Sequence, residues 1–267
     1  MEAEAPGCNN INVSIRVIDE LDFIEVINTF DKKKVMTPEA VHLSFPFNIP
    51  GGIMRYDLAY GYCKPEKDQI PGSNKNFLAM EHWLDISGEK NGVTVICPDA
   101  PLFEAGDLTM DEIVYGWVDS IVPSQTFFSY AMNNYWETNY AASQEGEISF
   151  RYIFMPHREF DPSVAEKAAI GLRQPLLSRK GGGWQNEKES LLKLDNESLI
   201  ITSMKPIDQG KKILVSVYNA GIKAEPVLWE SHFKSFGLSD PDGLTEQPMN
   251  TGITIPPGGL RHFVISL

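Results

Sequence analysis

Apolar and polar residues alternate with a period of two along much of the chain, the pattern of strands with one buried face. Asn12-Val13-Ser14-Ile15-Arg16-Val17 alternates in this way. Phe23-Ile24-Glu25-Val26-Ile27-Asn28 follows the turn-forming Asp19-Glu20-Leu21-Asp22, so the two runs predict a hairpin. Val41 to Phe47 alternates too, and Pro46 places its end at a sheet edge or strand terminus. Asn48 to Gly52 is a turn, and Lys64 to Ser73, rich in Pro, Gly and charge, is a loop. Phe77 to Ile86 predicts one strand with Phe77, Ala79, Glu81 and Trp83 on one face. Val93-Thr94-Val95-Ile96, Thr126 to Met132 and Ile148 to Met155 are further strands.

A single helix interrupts the pattern. Asp161-Pro162-Ser163 starts it, Ser163 and Glu166 have capping-box spacing, and Val164, Ala168 and Leu172 form one face. It stops near Gln174-Pro175, because a residue before proline avoids the helical region. The Gly-rich Lys180-Gly181-Gly182-Gly183 has the composition of a linker and predicts domains over 1–178 and 184–267. Short strands follow at regular spacing: Leu191–Leu194, Leu199–Met204, Ile213–Tyr218, Val227–Trp229, Ile253–Ile255 and Leu260–Ser266. Turns at Asp195-Asn196, Asp208-Gln209-Gly210, Asn219-Ala220-Gly221 and Pro256 to Gly259 separate them, which predicts a small β-sandwich. No strand–helix alternation suggests a parallel sheet. The expected class is all-β with one short helix.

Charge narrows the partners. The 23 basic and 36 acidic residues give a net charge of −13, which repels phosphate backbones and anionic lipid, so neither nucleic acid nor a membrane surface is an expected partner. No apolar run reaches the ~20 residues of a membrane span. The first seven residues have neither a basic nor an apolar stretch of a secretory leader, so the sequence predicts no signal and gives no localisation. Cys8, Cys63 and Cys97 are widely spaced and odd in number, the pattern of buried apolar thiols rather than of a zinc site or a disulfide framework.

No complete catalytic motif is visible. The glycines after Lys180 lack P-loop spacing, there is no GxSxG and no HExxH, and the five histidines are scattered. Candidate chemistry concentrates in Asn133-Asn134-Tyr135-Trp136-Glu137-Thr138-Asn139-Tyr140, at the end of an apolar strand. Amides and a carboxylate suit vicinal hydroxyls, and aromatic rings suit the C–H face of a sugar. Asn133, Asn134, Trp136, Glu137, Asn139 and Tyr140 are therefore candidate carbohydrate contacts. The competing reading is a polar corner in which asparagines close turns. A second segment joins Arg55-Tyr56-Asp57 to Glu66-Lys67-Asp68-Gln69. Its carboxylates could pair for glycosidase work, and Lys67 and Asp68 are further candidate sugar contacts. Its bland reading is a solvated charged loop.

Taken in order, several motifs resemble the C-terminal half of glycoside hydrolase family 38 α-mannosidases. They are Glu2 to Asn9, Asn28 to Lys34, Phe45-Pro46-Phe47-Asn48, Pro65 to Gly72, Gly92-Val93-Thr94 with Pro98 to Leu102, and Met132 to Tyr140. Leu214 to Asn219 resembles the start of that family's terminal β domain. The resemblance implies a galactose-mutarotase-like supersandwich, incomplete at its N-terminus, followed by a small β-sandwich. It implies that zinc and the catalytic residues belong to an N-terminal α/β barrel outside this chain. No metal ligand or catalytic residue is expected here, and the implied partners are that barrel and a mannose-containing glycan. Two rivals remain. One is a free-standing mutarotase-like protein recruiting His82 with Glu81, or His157 with a loop carboxylate. The other is an assembly module whose aromatics face a partner domain.

Overall fold

A computed structural model describes residues 2–109, 118–135, 141–174, 176–178, 180, 190, 192–231, 233, 235–249 and 252–266. The chain divides into two compact units, Met1–Phe160 and Asp161–Leu267. This division lies ahead of the Gly-rich stretch, whose residues 181–183 fall outside the described set, and it gives the helix to the second unit. Among the described residues no helix is long and apolar enough to cross a membrane.

Among the described residues the first unit has twelve strands. They are β1 (Glu2–Ala5), β2 (Cys8–Val17), β3 (Ile24–Lys32), β4 (Ala40–Pro46), β5 (Ile53–Leu58) and β6 (Gly61–Cys63). Then follow β7 (Leu78–Ala79), β8 (Trp83–Ser87), β9 (Gly92–Ile96), β10 (Leu102–Ala105), β11 (Thr126–Asn133) and β12 (Gly146–His157). Eight make one sheet in the order β1-β2-β3-β12-β9-β8-β5-β6, and four make a second, β4-β11-β10-β7, with every pairing antiparallel. The sheets share a core. Phe103 and Phe127 on the small sheet and Tyr152, Leu84 and Val95 on the large one are completely buried. The Phe45 ring packs at 4.6 Å from Tyr152 and 4.9 Å from Phe127, tying the layers together. Burying one such ring is worth about 1.5–3 kcal/mol.

Among the described residues, eight strands facing four leave part of the large sheet without an opposite layer. Ile15 pairs with Val26, which pairs with the inward-facing Tyr152, so Ile15 lies on the core side. Val17 stands there too, through Ile24 and Phe154. Both are nonetheless open to solvent, 65% and 69% exposed. The alternation that predicts a half-buried hairpin is present, but its apolar face is largely uncovered.

The run Phe77 to Ile86 is not one strand. It is β7 in the small sheet and β8 in the large one, with a crossover at residues 80–82. Leu78 and Met80 are buried, as is Trp83, so the predicted face of Phe77, Ala79, Glu81 and Trp83 does not form. Asp57 causes the break: its carboxylate accepts the N–H groups of Glu81, His82 and Trp83, satisfying backbone that a continuous ladder would have paired.

The second unit opens with α1 (Pro162–Arg173). Its N-cap is Asp161, which accepts from the Ser163 N–H and hydroxyl, so the cap lies two residues before Ser163. Ala165 and Ala169 are buried while Val164 is exposed, so the inward face is rotated from the predicted Val164–Ala168–Leu172 stripe. Strands follow: β13 (Leu192–Leu194), β14 (Leu199–Ile207), β15 (Lys212–Asn219), β16 (Glu225–Pro226) and β17 (Trp229–Ser231). The last are β18 (Ser235–Ser239), β19 (Glu246–Pro248), β20 (Thr254–Ile255) and β21 (Leu260–Ser266). β14-β15-β21-β18-β19 form a five-stranded sheet, and β13–β17 and β16–β20 form two-stranded ones. Val215, Val217, Phe263 and Ile265 fill one side with Val227 and Ile255. Ile200, Tyr218 and Leu260, neighbours across three strands, take Ile170 of α1 on the other.

Candidate functional site

A cavity of about 410 Å³ opens where both sheets of the first unit end. Lys32 at the end of β3 and Ile148 and Phe150 near the start of β12 line it from the large sheet. Val41, Met132 and Asn133 line it from the small sheet, and Asp99 to Leu102 and Ser143-Gln144 line it as well. Volumes of ~300–1,000 Å³ are typical of small-molecule sites. A register shift between Tyr130 and Met132, opposite His42 and Val41, bulges β11 just before Asn133. Such bulges re-aim side chains at strand ends.

The polar groups of this cavity differ sharply in how they are satisfied. Lys32 is nearly buried, and its ammonium engages the Glu39 carboxylate and the Lys33 carbonyl. Gly7 (φ +74°) makes room for this pair, since a Cβ there would stand 3.2 Å from Glu39 Oε2. Burial pushes the neighbouring Cys8 thiol up, with Lys32 opposing. Asn134 is a latch. Its Oδ1 accepts from the Glu39 N–H at 2.6 Å, and its Nδ2 donates to Val35, Thr37 and Ala142 carbonyls at 3.0–3.1 Å. That is the polar-corner chemistry weighed for this segment. Asn133 is the opposite case: its Oδ1 is buried and accepts no hydrogen bond. Leaving such an oxygen unpaired costs about 1–3 kcal/mol.

Of the sequence-predicted sugar contacts, Asn133 and Asn134 line the cavity. Trp136, Glu137, Asn139 and Tyr140 lie outside the described residues. Lys67 and Asp68 are exposed on the loop after β6, away from the cavity lining, where Asp68 accepts from the Lys64 N–H. Lys32 and Asp99 fall within stretches that carry the family resemblance, Glu39 and Gln144 within none, and only the fold brings the four to this cavity.

The carboxylates proposed for paired acid–base work serve structure. Asp57 is fully buried as the acceptor of three backbone N–H groups rather than sitting in a solvated loop. Glu66 accepts from Lys75 and from the Ile121 N–H, which together hold its carboxyl below the usual range. The histidines pair differently from expectation. His82 stands 3.3 Å from Asp57 rather than beside Glu81, and His157 meets Asp85 of β8 at 2.7 Å rather than a loop carboxylate. Gly92 permits this last contact, since a Cβ there would fall 2.2 Å from the His157 ring. Ser87 and Thr94 also donate to Asp85, and Arg55 bonds Ser87. Because the Ser87 proton points to Asp85 and not to His157, the group is no nucleophile–base pair. Across the small sheet His42 meets buried Glu104 at 2.7 Å, whose other oxygen accepts from Thr109. All three cysteines are free and buried.

The molecule is thus a two-sheet β-sandwich with an end cavity, joined in sequence to a second antiparallel β unit. Two solved Enterococcus faecalis structures share this fold: an alpha-mannosidase from strain V583 and a protein in the glycosyl hydrolase family 38. Each aligns with a TM-score of 0.66 at 13% identity over 95% of this chain. The chain spans only 28% and 29% of their lengths. At that identity the likeness is one of fold, and it agrees with the all-β architecture the sequence motifs imply. No protein-family model and no curated protein matches the chain.

Proposed function

We propose that this chain is the non-catalytic, C-terminal β region of a family-38-type α-mannosidase. In this reading it packs beside a catalytic α/β barrel and contributes carbohydrate contacts, while zinc and the reacting carboxylates belong to that barrel. The observation that carries the proposal is the fold likeness: almost all of this chain superposes on less than a third of an α-mannosidase. The side chains of the first unit add support. Among the described residues His157 is paired with Asp85 and Asp57 is engaged by backbone, which speaks against the free-standing mutarotase alternative. Purified protein incubated with p-nitrophenyl α-mannoside, with and without added zinc, is expected to release no nitrophenol. Zinc-dependent turnover that co-purifies with the chain would sink the proposal.

A further inference from the structure

We propose that the first unit accepts a strand: an extended, basic segment of a partner polypeptide adds to the open edge of β4 and covers the bare apolar face of β2 and β3. The inference uses only the geometry of the first unit and stands apart from the mannosidase reading. Ring contacts fix how the two sheets lie. Phe45 of β4 meets Tyr152 and Phe154 of β12 at 4.6 and 5.5 Å, and Phe103 of β10 meets Tyr56 of β5 at 5.3 Å. The small sheet, β4-β11-β10-β7, therefore runs from β12 toward β5. β3, β2 and β1 lie on the other side of β12, beyond the open edge of β4. A strand added at that edge, at the usual spacing of ~4.8 Å, faces β3 and reaches the exposed Ile15 and Val17 of β2.

The edge itself is built unlike the others. Among the described residues the backbone of β4 bonds only to β11, so alternate N–H and C=O groups point outward. Edge strands are ordinarily shortened, charged or broken by proline. Among the described residues of the three larger sheets, β6 and β7 have three and two residues. β1 carries Glu2 and Glu4, β14 carries Lys205 and Pro206, and β19 carries Glu246 and Pro248. β4 has seven residues, no charged side chain, and proline only at its end. Strand addition to such an edge is a known mode of peptide recognition.

Charge sets the sign of the guest. Residues 1–160 hold 24 acidic and 11 basic residues, so the whole net charge of −13 belongs to the first unit. Asp19, Glu20 and Asp22 are exposed at the hairpin tip that follows Val17. Arg16, the only basic residue between Cys8 and Asp31, is paired with Glu25 at 3.2 Å. A lysine or arginine at the end of the added strand meets this tip favourably, and a carboxylate does not.

The test titrates the intact chain with a blocked peptide of seven residues, as long as β4, alternating valine and threonine between terminal lysines. Anisotropy reads binding, and amide hydrogen exchange of Ala40–Pro46 reads strand pairing. Expected are saturable binding and slower exchange in β4. Glutamate in place of the terminal lysines should weaken binding about tenfold, as should Ile15→Lys, which sets a charge on the covered face. N-methylation along one edge of the peptide should abolish binding, and along the other edge should not. If Ile15→Lys does not fold, the two N-methylated peptides decide alone. No saturable binding, or equal binding of both N-methylated peptides, overturns the proposal. Tighter binding of the glutamate-ended peptide overturns it too. So does β4 protection that rises with the chain's own concentration, which gives the edge to a second copy.

Discussion

In the first unit Asp57 gathers the N–H groups of Glu81, His82 and Trp83 where the chain crosses between sheets. In the second, Asn219 holds the end of β15, donating to the Lys223 and Ile255 carbonyls and accepting from the Gly221 N–H. Both residues are fully buried. The two side chains differ by one atom, and the difference follows the backbone each one meets. The crossover presents only donors, which an acceptor-only carboxylate satisfies. The turn around Asn219 presents two acceptors and a donor, which an amide alone can serve.

Removing these hubs should give the largest effects. Asp57→Ala leaves three N–H groups without their charged acceptor and should cost the first unit roughly 4 kcal/mol or more, since hydrogen bonds to charged groups are each worth about 1.5–3. Urea unfolding followed by a probe within residues 1–160 measures it. A loss below about 1 kcal/mol would mean that water replaces the carboxylate. Asn219→Ala should cost the second unit about 2–3 kcal/mol, because its three bonds are neutral. The reciprocal exchange sharpens the comparison. Asn219→Asp faces two carbonyls with a group that cannot donate, so it should be worse than Asn219→Ala. Asp57→Asn should be milder than Asp57→Ala, since one oxygen still accepts.

The sheet-number mismatch of the first unit gives a smaller effect. Ile15→Ser with Val17→Thr removes apolar side chains already open to solvent, so folding stability should move by about 0.5 kcal/mol or less. Self-association should fall, because the uncovered apolar face is the surface that drives it. Light scattering of the double variant against the parent decides. Equal association would place the sticky surface elsewhere.

How far the sequence foretold this structure depends on the kind of signal. Val13, Ile15 and Val17, Phe45, Phe127 and the strand from Ile148 announced themselves through period two, which local backbone geometry imposes. The crossover at residues 80–82 was invisible, because its cause sits at Asp57, more than twenty positions away. The helix register failed for a short-range reason: Asp161 and Ser163 both suit an N-cap, and only the observed bonds to Asp161 choose between them. β18 and β19 escaped because Ser235-Phe236-Gly237-Leu238-Ser239 and Glu246-Gln247-Pro248 are short and carry Gly and Pro. In the cavity, adjacent asparagines of identical type have opposite roles, Asn134 saturated and Asn133 with an orphan oxygen. Composition cannot tell such neighbours apart. The bulge in β11 and the position of Glu39 can.

The smallest effects should appear as opposite pH limbs. Glu66 in the first unit is held below the ordinary glutamate range, first by the Ile121 N–H and then by Lys75. A depressed folded value means that its contribution is complete above the ordinary glutamate range and is lost as pH falls through the lowered value. Lys212 in the second unit is raised, first by its hydrogen bond to Glu246 and then by that residue's charge. Its contribution is complete below the ordinary lysine range and is lost as pH rises through the raised value. Carboxyl and ammonium NMR titrations should therefore find Glu66 shifted acid and Lys212 shifted alkaline. Half-molar salt should move Lys212 more than Glu66. Lys212 depends on one exposed ion pair, whereas the Ile121 N–H is a fixed dipole that salt screens poorly. Equal salt shifts would show that Lys75, and not the backbone, holds Glu66.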